Sequence, residues 1–580
     1  MSISLGVGSE RQMPSRDDQQ GDWGKDAFPS NCDETVFDEH AGLNAASCTV
    51  KDVARLVGVS PSTVPRLRES LFTASLAAFP FAVSMCFASL SLSLRAEVRL
   101  PAVFANHMVV QRDSPVHIWG YASPSEAVTV GFRGEIEHVD ADELGRWSLY
   151  LHPGSAGGPF EMQVQATNRI VFEDVLAGDV WIASGQSNME FSMGKGTYSG
   201  VKNDEQEISA ANYPRIRLLD LQQRSSDSPL DDVAIRHPWS ECTPDSVASF
   251  SAVGYFFARD VQQHEDIPIG VIDVSWGGTP AEAWTSLDAL SADAALMPVF
   301  ARRAALMNQL STALLQEKKE QADYESAKAA GNPMASPPWH PDQESWKPAG
   351  VYNAMIAPLT PYAIKGVIWY QGESNSPPDA ASLYARLFRT LILDWRNKWA
   401  QGDFPFFFVQ IANWNPGESW PELREAQRQA LVLKDTAMAV SIDIGDPDDI
   451  HPKDKQDVGR RLSLAARALA YGEAIEYSGP LFRAATTDGS SLRLRFDHVK
   501  SGLTTMNGAL RGFAVAAADE KYVPAQAQIE GDSVLVSAAS IKNPIYVRYC
   551  WAANPDCNLY NGASLPASPF QAKASHSSVP

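Results

Sequence analysis

At 580 residues the chain is too long for a single hydrophobic core, and its length suggests about three or four domains. A formal charge of -21 argues against a general nucleic-acid or anionic-membrane surface and suits a soluble protein acting on neutral or cationic material. Six cysteines (Cys32, Cys48, Cys86, Cys242, Cys550, Cys557) show no zinc-type spacing, which argues against a structural metal. Cys550 and Cys557 flank a short turn-rich segment, where an exported chain can pair them and a cytosolic one leaves two thiols.

Residues 1–48 are polar, without a sustained hydrophobic period, and read as disordered. The stretch from Thr49 to Arg66 resembles the helix-turn-helix of LacI-type repressors, with a first helix ending near Gly58 and a recognition helix starting at Ser60. The resemblance is confined to 49–70. Pro65 falls inside the recognition helix at a cost of about 3 kcal/mol, and no sugar-sensing repressor domain follows. A DNA-binding regulator is therefore the rival from another functional class. Residues 71–96 run from Arg66 and Arg68 through an apolar core to small residues and Ala96, the order of a secretory signal. A membrane anchor is the rival, weakened by Pro80 and the many Ser and Ala residues. The expectation is that the first ~65 residues are a wrong start or fusion remnant. The working protein then begins near Glu97, secreted or periplasmic after cleavage near Ala96, and membrane-anchored if the segment is retained.

Residues 97–175 alternate in short segments (116–119, 127–132, 147–151, 160–166) separated by Gly, Pro, Asp and Asn, the pattern of a small antiparallel sandwich. From 176 to 475 strand and helix patterns alternate, as a doubly wound, mostly parallel sheet requires. Residues 476–580 return to short alternating strands and a second β-rich domain.

The apolar run from Val175 to Ile182 reads as a buried strand that ends at Gly185-Gln186-Ser187-Asn188, a turn able to present a serine at the sheet's carboxyl edge. A second strand, 267–275, enters Trp276-Gly277-Gly278-Thr279-Pro280-Ala281-Glu282, where Thr279 and Glu282 predict a capping box with Pro280 at the first helical position. Backbone N–H groups at such a turn can bind an oxyanion. Helix is expected over 286–330, then a loop over 331–348 whose Trp339 and Trp346 can stack on a sugar or simply pack. A strand over 366–370 leads to Gln371-Gly372-Glu373-Ser374-Asn375 and a helix with Tyr384, Leu387, Phe388, Leu391 and Trp395 on one core face. Strands over 404–412 and 436–444 follow. The last enters Asp446-Pro447-Asp448-Asp449-Ile450-His451 and a helix closed by Gly472.

A serine hydroxyl needs a base at neutral pH, and His451 alone among eleven histidines lies beside acidic residues at a strand-to-helix junction. A carboxylate must orient it. Asp448, Asp449 and Glu373 are the candidates, and spacing does not choose among them. Ser187, Gly278 and Asn375 are the oxyanion candidates.

With those motifs in that order, the chain resembles the SGNH hydrolase superfamily and specifically the sialate O-acetylesterase family. The match runs from Leu100-Pro101-Ala102-Val103-Phe104 through Gly178-Asp179-Val180-Trp181, Tyr352-Asn353-Ala354-Met355 and Asp449-Ile450-His451-Pro452 to Leu565-Pro566-Ala567. The resemblance implies an SGNH-type α/β domain between β-rich domains and a cofactor-free, metal-free serine esterase acting on an acetylated sugar. It makes Ser187 the nucleophile and His451 the base, ranks Asp448 and Glu373 close together as the acid with Asp449 supporting, and assigns substrate contacts to Gln186, Trp276, Gln371 and Asn353. Gly372-Glu373-Ser374-Asn375 departs from the usual Gly-x-Asn-Asp block. Rival activities are an esterase of acetylated xylan or hemicellulose and a non-catalytic sugar-binding protein. No nucleic-acid partner and no stable membrane anchor are expected of the mature chain.

Overall fold

The computed structural model describes residues 97–332, 340–415 and 419–575. The polar, LacI-like and signal-like segments and Trp339 lie outside them.

The backbone of the molecule is a seven-strand path: β1 (Arg169–Gly185), β2 (Tyr213–Leu221), β3 (Ile235–Cys242), β4 (Ile269–Ser275), β5 (Gly366–Tyr370), β6 (Phe406–Gln410) and β7 (Thr436–Val440), in the order β7-β6-β5-β1-β4-β2-β3. All neighbours are parallel except β3, which runs antiparallel along β2. Strands β5 and β6 are near-continuous apolar runs because both their faces are covered. Period-two geometry divides their side chains. Val180, Ile182, Val367, Trp369, Phe406 and Phe408 enter one core, and Trp181, Ala183, Ile368, Tyr370, Phe407 and Val409 the other.

The helices that bear on the site and its cores are α1 (Ser187–Glu190), α2 (Ala252–Glu265), α3 (Pro298–Ala329), α4 (Pro378–Trp399), α5 (Trp420–Arg428) and α6 (Lys455–Leu469). The predicted stripe of α4, Tyr384, Leu387, Phe388, Leu391 and Trp395, is fully buried in the first core. Phe257 and Val261 of α2 join Val458 and Leu462 of α6 in the second. Each such side chain contributes about 2 kcal/mol by leaving water.

The N-terminal strands grow out of β1 itself. Gly157–Gln165 pairs antiparallel with the first half of β1, Ala127–Phe132 pairs with Gly157–Gln165, and Val109–Gln111 lies parallel to Leu176–Gly178. Their core is continuous with that of the central sheet. The C-terminal region instead carries two four-stranded sheets around its own core, including Leu494, Phe513, Val534, Val547 and Phe570, with Cys550 and Cys557 joined as a disulfide.

Some local expectations fail. Pro280 is extended (φ -83°, ψ 157°) and only a short 3-10 turn, Ala281–Trp284, follows. Thr279 donates to the Trp276 carbonyl and accepts from the Trp284 indole, while Glu282 is drawn to Arg302 and Asn375, so no capping box forms. The helix expected over 286–330 is broken into Leu287–Ser291, Ala294–Leu296 and α3. Strand β7 stops at Val440, leaving 441–454 as the loop that carries His451.

Candidate active site

Strand β1 places the serine. Gly185 has φ 138°, and a Cβ there would stand 2.1 Å from the Tyr370 carbonyl oxygen on neighbouring β5, so only glycine passes this point. The chain turns at Gln186, whose Oε1 accepts from the N–H groups of Gly372 and Ser374 (3.3 and 3.2 Å). Ser187 then opens α1, buried at 5% exposure. On the other side of β1, the end of β4 brings Gly278, with φ 75°, to the same spot. The Gly278 carbonyl accepts from the Trp346 indole at 2.6 Å, and the Gly277 N–H donates to Glu190 at 2.6 Å.

His451 reaches this serine from the far edge of the sheet. Strand β7 lies three places from β1, about 14 Å at ordinary strand spacing, and the 441–454 loop spans the gap. His451 Nε2 stands 2.8 Å from Ser187 Oγ. The imidazole lies against the Tyr198 ring, centroids 4.6 Å apart. Burial, helped by the cation of Lys455 and opposed by Asp449, lowers its pKa to about 4. The ring is therefore neutral at pH 7 and able to take the serine proton.

The three candidate carboxylates separate clearly. Asp449 Oδ1 accepts from the His451 backbone N–H at 2.8 Å and stands 3.7 Å from Nδ1. Asp448 is exposed, its N–H donating to Asp446. Glu373 is buried behind the serine and accepts from Asn188 Nδ2 at 2.6 Å; its Oε2 has no hydrogen-bond partner among the described residues, and burial raises its pKa.

Ser187, Gly278, Glu373 and His451 share a cavity of about 430 Å³, walled largely by Tyr198, Trp346, Pro377, Trp414 and Ile450. Gln186 also lines it. Asn375 does not belong to that wall: it is fully buried, donating to Glu282 (2.9 Å) and accepting from Ala281 N–H and Gln371 (2.8 and 2.7 Å). Gln371 is likewise buried, bonded to Asn375, Thr279 and Tyr384. Asn353 donates to the Ser226 carbonyl, and the Trp276 N–H to Gly185. Gln371, Asn353 and Trp276, like Asn375, do not line the cavity. Among the described residues no group of three or more His, Cys, Asp or Glu side chains is arranged to hold a metal ion.

Sequence reasoning missed Tyr198 and Trp414, lone loop aromatics with no periodic signal, and also Asn188 and Lys455. Lys455 is fully buried at the first position of α6 and donates to Asn188 Oδ1 at 2.5 Å. A cation in a helix's first turn opposes the macrodipole, and that misfit was the available signal.

A buried serine and a neutral histidine at the carboxyl ends of a mostly parallel sheet have the geometry that acyl transfer to a hydroxyl requires. The family described as carbohydrate esterase, sialic acid-specific acetylesterase, matches residues 177–314 and 328–468. The sialate O-acetylesterase of Mus musculus is 31% identical over 548 residues, spanning 86% of this chain and 98% of its own. That of Homo sapiens is 31% identical over 524 residues, spanning 81% and 92%. The crystal structure of a carbohydrate acetylesterase from Xanthomonas citri superposes with a TM-score of 0.71 at 37% identity, covering 82% of this chain and 99% of that one. These likenesses define the class as carboxylic-ester hydrolases acting on carbohydrates. The chain belongs to the sialate O-acetylesterase family.

Proposed function

We propose that the chain is a carbohydrate O-acetylesterase that works through an acetyl-serine, with O-acetylated sialic acid as the first substrate to test. The observation that carries the serine mechanism is the 2.8 Å contact between His451 Nε2 and Ser187 Oγ in the wall of the aromatic-lined cavity.

In the first step the Ser187 hydroxyl proton passes to His451 Nε2 as Oγ bonds to the acetyl carbonyl carbon. The resulting oxyanion is met by the backbone N–H groups of Ser187 and Gly278. Collapse breaks the bond to the sugar oxygen, which leaves with the proton from His451. In the second step His451 takes a proton from water, the hydroxide adds to the acetyl carbon, and acetate departs as Ser187 recovers its proton. Asp449 is the carboxylate that steadies the imidazole, supported by its two approaches to His451. Gln186, on the cavity wall, is the substrate contact among the four expected from the sequence.

The finer architecture fits this reading: an SGNH-type doubly wound domain over 176–475 between β-rich domains over 97–175 and 476–580, with helices on both faces of the sheet. Export of the mature chain from near residue 97 is part of the proposal, supported by the Cys550–Cys557 pair. No helix among the described residues is long and apolar enough to cross a membrane.

Acetate release from O-acetylated sialic acid and from acetylated xylan, beside Ser187→Ala, tests the reading. Release from the sialate that disappears in the variant is expected. Release from xylan alone would move the substrate to hemicellulose, and an undiminished rate in Ser187→Ala would end the serine mechanism.

A further inference from the structure

Behind the serine and histidine lies a buried polar bridge that the reaction steps leave unused. Asn188, next to the serine and 1% exposed, is its centre. Its carbonyl oxygen accepts from Lys455 Nζ at 2.5 Å, and its amide nitrogen donates both to Glu373 at 2.6 Å and to the Ile450 backbone carbonyl at 3.0 Å. Three segments meet on one side chain: the start of α6, the turn after β5, and the residue immediately before His451.

A lysine fully out of water is costly unless something holds it. Here Nζ lies 4.6 Å from the Phe191 ring centroid and 5.4 Å from that of Tyr370, with Asn188 as its hydrogen-bond acceptor. The charged or titratable groups acting on it are Glu373 from the β5 turn, Asp449 and His451 from the long loop, and Asp454 at the cap of α6. Burial brings the amine down to about 7, against the pull of Glu373, Asp449 and Asp454. The 441–454 loop contains no strand or helix, and the Asn188–Ile450 bond, made immediately before His451, ties it to the residue beside Ser187.

We propose that Lys455 is a positioning residue of the esterase site: by orienting Asn188 it fixes the Ile450 carbonyl and with it the His451 ring. Asn188 thereby couples the serine's neighbour to the loop that carries the base. Glu373 serves as the counter-charge of this bridge instead of the partner of His451. The inference rests on the Ser187–His451 mechanism proposed above.

The test is Lys455→Met, which keeps the side-chain length, assayed with a small aryl acetate alongside Ser187→Ala. With the ammonium gone, the acid limb of the kcat/KM profile is expected to move up from about 4 but to stay short of 6.5, because burial, the larger cause of the depression, remains. A fall of about 10- to 100-fold in kcat with little change in KM should accompany it, because a small displacement of a base is expensive in rate. A folded Lys455→Met with the wild-type acid limb overturns the proposal, whatever its kcat, since a merely structural lysine would not set the histidine's titration. Should Lys455→Met fail to fold, Asn188→Ala cuts the bridge while keeping both charges. It should lower kcat and leave the limb near 4, and an unchanged kcat there overturns the proposal equally. Full activity in Ser187→Ala would instead remove the underlying mechanism, so the two failures are told apart.

Discussion

The two halves of the site are held by different physics. Ser187 is placed by the sheet: it follows the central strand β1, the glycine before it is pressed against β5, and its neighbours Gly278 and Glu373 come from the strands on either side. His451 hangs on a loop from edge strand β7, held by Asn188 on the Ile450 carbonyl, Asp449 on its N–H, Asn413 on the Gly445 N–H at 2.9 Å, and backbone bonds from Lys202 and Asn415 to the Lys453 and Pro447 carbonyls. Ser187 is set by strand geometry and core packing, whereas His451 is set by polar contacts to its loop. Substitutions should therefore act abruptly on the first half and gradually on the second.

The largest effect belongs to Ser187→Ala, which should lower kcat by about 10⁴-fold or more in an acetate-release assay. His451→Ala should match it within about tenfold, and the double variant should lose little beyond either single one, because the two act as a unit. Gly185→Ala attacks the serine's scaffold: with φ 138° and no room for a Cβ, it should lower stability by about 3 kcal/mol in denaturant unfolding, with activity falling alongside. On the histidine half, Asp449→Asn should reduce kcat by about 10- to 100-fold, while exposed Asp448→Asn stays within about twofold. The reverse order would transfer the orienting role to Asp448.

A milder lever is pH. The His451 pKa in the fold, about 4, lies below the ordinary 6.5, so protonation favours the unfolded chain. Its contribution to stability is complete above about 6.5 and is lost as pH falls through 6.5 toward 4. The kcat/KM of the free enzyme should hold down to about pH 5 and fall below it. A half-maximal rate near 6.5 would show that the histidine half is open to water.

What the sequence disclosed follows the same division. Strand β1, the glycine turn, the stripe of α4 and the order of the motifs were legible because backbone sterics and period-matched burial leave marks in consecutive residues. The strand Glu135–Asp140 was not, since on a half-exposed ladder its sequence, Glu-Ile-Glu-His-Val-Asp, need not alternate cleanly. Thr279 and Glu282 fit a capping box by spacing, yet tertiary partners, the Trp284 indole and Arg302, claimed both side chains. Asn375 looked like an oxyanion donor, but its amide is occupied by Glu282. Which carboxylate approaches His451 depends on the path of a 441–454 loop with no periodic pattern. Lys455 resembled an ordinary charge on a helix surface until its burial beneath Asn188 was apparent.

Strand β1 is one 17-residue element, Arg169–Gly185, paired with N-terminal strands at its beginning and ending two residues before Ser187. A beam clamped at both ends cannot be unbolted at one. The N-terminal strands are thus poor material for exchange as a cassette between related enzymes: a graft joined near residue 176 would splice through the member that carries the serine. The C-terminal region has a core of its own but is fastened to α5 and the central sheet through Arg424 on the Ala552 and Ala553 carbonyls and Gln410 on Ser568, so a graft there must carry those partners with it.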